Sequence, residues 1–191
     1  GYYAGGETTT VNYNNAFGSS ALGSNTTGAQ NVAVGRAALY TNTTASNNTA
    51  LGHHAMYANT TGTSNVAVGA TALDANTTAS NNVAVGANAM TANTTGAENT
   101  ALGKSALYSN TTANSNVGIG KSALLNNTTG ATNTAVGTNA LDANTTASNN
   151  TAVGYDSLGV NTTGASNVAV GAYSLDANTT ASYNTAVGYG S

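Results

Sequence analysis

The sequence predicts an all-β fold, a β-solenoid (β-roll) of about eleven 17-residue coils, and three observations predict it. The tripeptide Asn-Thr-Thr begins at Asn25, Asn42, Asn59, Asn76, Asn93, Asn110, Asn127, Asn144, Asn161 and Asn178, always 17 residues apart with no insertion or deletion. Counting from that Asn as position 1, position 10 is always apolar, from Phe17 and Val34 to Val187, and position 15 is Leu or Met from Leu22 to Leu175. Every charged residue falls at position 6, 12, 13, 16 or 17, so variation is confined to outward sites around a repeating apolar stripe. A lone unit could not hold itself together. Its two sizeable apolar side chains are worth about 3–6 kcal/mol if fully buried, whereas ordering the backbone costs roughly 1–2 kcal/mol per residue. Stacked units share a core and a backbone ladder.

The unit reads N-T-T-[GA]-x-x-N-[VT]-A-[VLI]-G-x-x-[AS]-[LM]-x-x, as in residues 25–41, NTTGAQNVAVGRAALYT. The frame extends to both termini. A degenerate copy starts at Thr8, with Asn14, Ala16, Phe17, Gly18, Ala21 and Leu22 in register, so residues 1–191 form a single repeat domain. Position 4 alternates Gly28, Ala45, Gly62, Ala79 and onward to Ala181, which gives a 34-residue super-repeat. Descent from a doubled 17-mer explains that rhythm most simply; a 34-residue turn is the other explanation.

Each element follows from its residues. Positions 6 to 10 alternate and are β-branched, which predicts a short strand. Gly at position 11 occurs in every copy from Gly1 to Gly188, which points to positive φ or to a backbone too close for a Cβ. Positions 12 to 16, RAALY or KSALY, read as a helical or 3₁₀ turn, with a second strand as the alternative. Asn-Thr-Thr-Gly/Ala is corner chemistry. The Asn row at position 7 (Asn31, Asn48, Asn65, Asn82, Asn99, Asn116, Asn133, Asn150, Asn167, Asn184) and the row at position 1 are expected to form amide ladders along the stack. At about 4.8 Å per coil the stack makes a rod about 50 Å long.

Position 9 is Ala in ten of eleven copies and Gly118 in the other. If position 10 faces the core, position 9 faces out, yet it is never polar or large. Either a neighbouring subunit lies against it, most simply in a three-fold bundle, or the coil is so thin that both faces are inside.

Composition excludes several classes. There is no Cys, hence no disulfide and no thiolate metal site. A net charge of −3 with 5% charged residues cannot neutralise a phosphate backbone, so no nucleic-acid partner is expected. No apolar run approaches the roughly 18 residues of a membrane span, so no membrane insertion is expected. No leader pattern opens the sequence, and Gly1 in place of Met reads as a mature chain or a fragment. The repeat is entered at position 11 and left at position 14, so the expected arrangement is a segment of a longer array or a unit stacking end to end.

Chemistry is sparse. His53 and His54 sit at variable positions and read as surface decoration, as do the ten Tyr. Asp74, Asp142 and Asp176 share position 16, but two to four coils apart they cannot share one Ca²⁺. No catalytic, cofactor or metal residues are expected, and no enzyme activity. The ten Asn-Thr-Thr tripeptides, from Asn25 to Asn178 as enumerated above, match the N-glycosylation sequon and are candidate glycan-attachment sites, although repeat chemistry alone accounts for the match. The Thr array suggests ice binding, but adjacent Thr in extended backbone face opposite ways, leaving one row.

The motif N-x-A-[VI]-G-x-x-[AS], as in residues 31–38 (NVAVGRAA) and 116–123 (NVGIGKSA), resembles the head repeat of YadA-like trimeric autotransporter adhesins. The longer form NTAVGxxALxxNTTG is similar to repeats of phage tail fibres and large bacterial surface proteins. The resemblance spans the whole chain, although the 17-residue unit is longer than the usual adhesin head unit. It implies a trimeric parallel β-roll located outside the cell, on a cell surface, in a secreted filament or on a virion, with an adhesive or spacer role. The functional expectation is a structural fibre, adhesin shaft or filament subunit that self-associates as a homotrimer or end to end, with a cell-surface or glycan receptor. The alternative is a surface-binding module for glycan or ice.

Overall fold

The computed structural model describes residues 2–6 and 13–191. Gly1 and residues 7–12, which include Glu7 and the opening of the degenerate copy at Thr8, lie outside the described residues.

The chain is a parallel β-solenoid with one strand per 17-residue coil. The strands are β1 (Asn15–Phe17), β2 (Val32–Val34), β3 (Thr49–Leu51), β4 (Val66–Val68), β5 (Val83–Val85), β6 (Thr100–Leu102), β7 (Val117–Ile119), β8 (Thr134–Val136), β9 (Thr151–Val153), β10 (Val168–Val170) and β11 (Thr185–Val187). They form one sheet in chain order, every pair parallel and shifted by one repeat, so Ala33 lies beside Ala50 and Val34 beside Leu51. Among the described residues there is no helix. The turn of the solenoid is therefore 17 residues, not 34.

The strand is shorter than the sequence suggests, covering positions 8 to 10 only. The expected helical turn at positions 12 to 16 is absent for a definite reason. Positions 13 and 15 are left-handed, as at Ala37 (φ 55) and Leu39 (φ 50), and this recurs in each coil through Tyr173 and Leu175. The reversals aim successive N–H groups at opposite neighbours. Ala37 N–H donates to Ser19 O in the coil before, and Leu39 N–H donates to Ala55 O in the coil after. A left-handed residue costs roughly 1–2 kcal/mol. Here the stack on both sides supplies the partners that an isolated turn would lack.

The core inverts the expectation at positions 9 and 10. Ala33, Ala50, Ala67, Ala84 and their equivalents are fully buried within the single chain, while position 10 points outward, with Leu51 and Leu102 each 46% exposed. The lumen is filled instead by the position 15 column, Leu39, Met56, Leu73, Met90, Leu107 and onward to Leu158, with Ala or Ser at position 14 beside it. A methyl is all that column leaves room for. At Gly118, a Cβ would sit 3.3 Å from Leu107 Cγ and 3.3 Å from Ala123 O. Neither reading of position 9 holds as stated: position 9 is inside the single chain and position 10 is outside, so small size at position 9 is no argument for a neighbouring subunit.

Gly at position 11 meets both expectations at once. Gly35 has φ 129, and a Cβ on it would lie 2.5 Å from Gly52 O in the next coil. Ala at that position would require both a rare backbone conformation and displacement of the adjacent backbone.

Candidate functional site

The folded rod presents three chemically distinct surfaces around its core, and one local cluster that breaks its uniformity.

The Asn rows are internal. Asn25, Asn42, Asn59 and the others at position 1 through Asn161 are fully buried, as are Asn31, Asn48, Asn65 and the rest of position 7 through Asn167. At position 1 the amides bond to each other, Asn42 Nδ2 donating to Asn25 Oδ1 at 2.8 Å and to Ala45 O at 3.0 Å. At position 7 the ladder runs between side chain and backbone. Asn48 N–H donates to Asn31 Oδ1 at 3.0 Å, and Asn31 Nδ2 donates to Ala45 O at 2.9 Å. One carbonyl thus receives two side-chain amides from consecutive coils. This pattern saturates groups that would each cost about 1–3 kcal/mol if buried unpaired.

That burial bears on the sequons, which the sequence also explains as repeat chemistry. A sugar on Nδ2 of Asn42, Asn59, Asn76, Asn93, Asn110, Asn127, Asn144 or Asn161 would have to disturb a pair of hydrogen bonds inside a closed coil, as made by Asn42, and on Asn25 the bond to Gly28 O at 3.0 Å. Asn178, half-buried in the last coil, makes the same two bonds, to Asn161 Oδ1 at 2.9 Å and to Ala181 O at 3.1 Å.

The first surface is the sheet. Positions 8 and 10 both face outward on each three-residue strand around the buried position 9. From β2 to β11, position 8 is Val or Thr and position 10 is Val, Leu or Ile. The second surface is the corner row at position 3, from Thr27, Thr44 and Thr61 to Thr180, exposed in each coil. The adjacent hydroxyls at position 2 are directed along the stack, Thr26 Oγ1 donating to Thr43 O at 2.9 Å. At this corner the position 3 row is the more exposed of the two, the position 2 threonines being half-buried from Thr26 to Thr162.

The third surface, positions 12, 13 and 16, carries the variable residues. Translation by one coil brings like positions into contact there. Rings stack in sequence: His53 on His54 with centroids 4.1 Å apart, His54 on Tyr57 at 4.7 Å, and Tyr57 on Tyr40 at 5.4 Å. Arg36 Nη1 lies 3.1 Å from His53 Nε2 and 3.3 Å from His54 Nε2. A guanidinium can only donate, so the Nε2 atoms are the acceptors in these contacts. Burial is the main cause that holds the His54 pKa below its ordinary value. The charges of His53 and Arg36 act in the same direction, against Asp74. Asp74 is raised, chiefly by burial, with His54 and His53 opposing. Its Oδ1 is buried with no hydrogen-bond partner.

Two shallow hollows flank this cluster. One of about 260 Å³ is lined by Ser19, Ser20, Arg36, Tyr40, His54 and Tyr57, with Ala37 beside them. The other, about 410 Å³, shares Ser20 and Tyr40 with it. His53, His54, Tyr40 and Tyr57, read from the sequence as surface decoration, are therefore one contiguous group. The signal was present, because Arg36 and His53 share position 12 and Tyr40 and Tyr57 share position 16 in consecutive copies. Farther along, Tyr155, Tyr173 and Tyr189 meet edge to face, with centroids 5.3 and 5.8 Å apart. Among the described residues no group of three or more His, Asp or Glu could hold a metal ion, and Asp74, Asp142 and Asp176 stand apart on separate coils.

No protein-family model, no curated protein and no solved structure matches this chain.

Proposed function

We propose that this chain is a structural fibre element, an adhesin-shaft or tail-fibre-like rod working outside the cell, whose copies associate laterally through the outer face of the sheet. One observation carries the reading. Position 10 points away from the core, yet it is Val, Leu, Ile or Phe in every strand from β1 to β11. The variable face of the same coils accepts Ser, Arg, His, Ala, Lys, Thr and Tyr at position 12. Solvated positions on one rod should tolerate similar chemistry, so a row held aliphatic marks a surface that is covered in use.

The occupant is another copy of the chain. The face carries no charge, and its ridges recur at the strand spacing of about 4.8 Å, so a second rod offers a matching surface of the same period. About 50 Å by 10 Å gives roughly 500 Å² per face, below the roughly 800 Å² per partner of a standard interface. A three-rod bundle, in which each rod meets two others, makes better use of it. The resemblance to trimeric adhesin heads points the same way. Among the described residues no helix is long and apolar enough to cross a membrane.

Sedimentation velocity at about 100 μM tests the proposal, comparing the native chain with the double variant Val85→Lys, Leu102→Lys. The native chain should run as a trimer or larger, and the variant as a monomer with unchanged circular dichroism. A native monomer, or an equally assembled variant, would refute it.

A further inference from the structure

We propose that the hollow beside Arg36 is a binding site for a sugar bearing a carboxylate, with Arg36 receiving the carboxylate and the Tyr40–Tyr57 stack walling the ring. Arg36 is exposed and is the chain's one arginine. Among the described residues it pairs with no carboxylate, its contacts being the two imidazoles. Those imidazoles occupy Nη1 and leave Nε and Nη2 without a partner among the described residues. The remaining donors stay in the fork geometry that suits a carboxylate.

The rest of the hollow suits a hydroxylated ring. Ser19, Ser20 and the two Tyr bring hydroxyls, and an aromatic wall takes the C–H face of a pyranose. Gly23 leaves room for the Tyr40 ring: a Cβ there would sit 2.9 Å from ring atoms Cδ2 and Cε2. The neighbouring hollow, joined through Ser20 and Tyr40, gives a second ring room to extend along the rod. A polyphosphate fits poorly. One guanidinium does not neutralise it, the chain is net negative at −3, and Asp74 lies close enough to act on both imidazoles. Lys104 and Lys121 share position 12 with Arg36, but neither stands beside a parallel ring stack.

The test is a ¹H–¹⁵N titration with 3′-sialyllactose and with trigalacturonate, using lactose as the uncharged control. Both acidic sugars should shift residues 19–23, 36–40 and 53–57, and lactose should not. Arg36→Ala and Tyr40→Ala should each weaken binding about tenfold or more. Arg36→Lys should not restore it, and the melting temperature of the Arg36 variants should stay unchanged. Absence of shifts with both acidic sugars at about 10 mM, equal shifts with lactose, or binding that survives Arg36→Ala would overturn the proposal.

Discussion

Position 5 differs between alternate coils, Ala or Thr where position 4 is Gly and Ser or Asn where it is Ala. In coils with Gly at position 4, the backbone N–H at position 5 points at the next coil. There Ser46, Ser80, Asn114, Ser148 or Ser182 accepts it, as in Ala131 N–H to Ser148 Oγ at 3.0 Å. The corner alternates with it. Thr26 and Thr27 both donate to Thr43 O, as Thr60 and Thr61 do to Thr77 O, but of the next pair only Thr43 bonds across. A Cβ on Gly28 would meet Ala45 O and lie 2.9 Å from Asn42 Nδ2, so the Gly coil cannot adopt Ala. The 34-residue rhythm is therefore a physical pairing of unlike coils and more than a trace of ancestry. Ser148→Ala should cost about 0.5–1.5 kcal/mol in urea unfolding, whereas Ala131→Ser on the donor coil should stay within about 0.5 kcal/mol. Equal effects would contradict the pairing.

Titration belongs to this scale too. The His54 pKa is lowered from 6.5 on folding, so its contribution is present above that value and is lost as pH falls through the folded pKa. Asp74 and Asp142 are raised above 3.8, both chiefly by burial, with Asp156 adding to the shift of Asp142. Their ionisation therefore opposes folding, and stability returns as they protonate. Thermal melts should show the midpoint dropping below about pH 6.5, then partly recovering towards pH 4. His54→Gln should remove the first fall. A monotonic profile in both proteins would count against the ring cluster as described.

The elements divide into what the pattern specifies and what it leaves open. Position 15 as core, Gly at position 11 and the parallel stacking were all legible, because a 17-residue identity leaves like residues little choice but to pile on like. The strand faces were not. A period of two assigns positions 9 and 10 to opposite sides but does not say which side is inside, and side-chain size suggested the wrong one. The Leu column decides it, since a Cβ at Gly118 would already sit 3.3 Å from Leu107 Cγ. The turn was misjudged for a related reason. Ala-Leu suits a helix in isolation, but a coil needs its N–H groups aimed at two neighbours, and left-handed residues do that. Ala101→Leu should destabilise the rod by about 1–3 kcal/mol through overpacking, while Leu102→Ser in the dispersed chain should cost under about 1 kcal/mol. The reverse order would place the core on the other face of β6.

The whole molecule is quasi-one-dimensional: each coil touches the one before and the one after, and the sheet contacts run only between consecutive strands. Stability should be nearly a sum of neighbouring interfaces, and a wound in the middle should matter most. Asn93→Ala removes the amide that donates to Asn76 Oδ1 and Gly96 O and accepts from Asn110. With those buried groups orphaned at about 1–3 kcal/mol each, hydrogen exchange should accelerate in coils on both sides of it. The two surfaces proposed above follow from the same geometry. Translation by one coil turns an aliphatic residue into a stripe and an occasional ring into a stack, so a uniform rod can carry both an assembly face and a local recognition site.

The absence of cysteine makes the arrangement of the sheet directly measurable. Single variants Ala101→Cys and Leu102→Cys can be reacted with a soluble thiol reagent, first as dispersed chains and then assembled. The structure predicts protection at residue 101 and rapid labelling at residue 102 in dispersed chains, and the proposed lateral association predicts that labelling at 102 slows on assembly. Fast reaction at 101 with protection at 102 in dispersed chains would contradict both the fold of the coil and the fibre built on it.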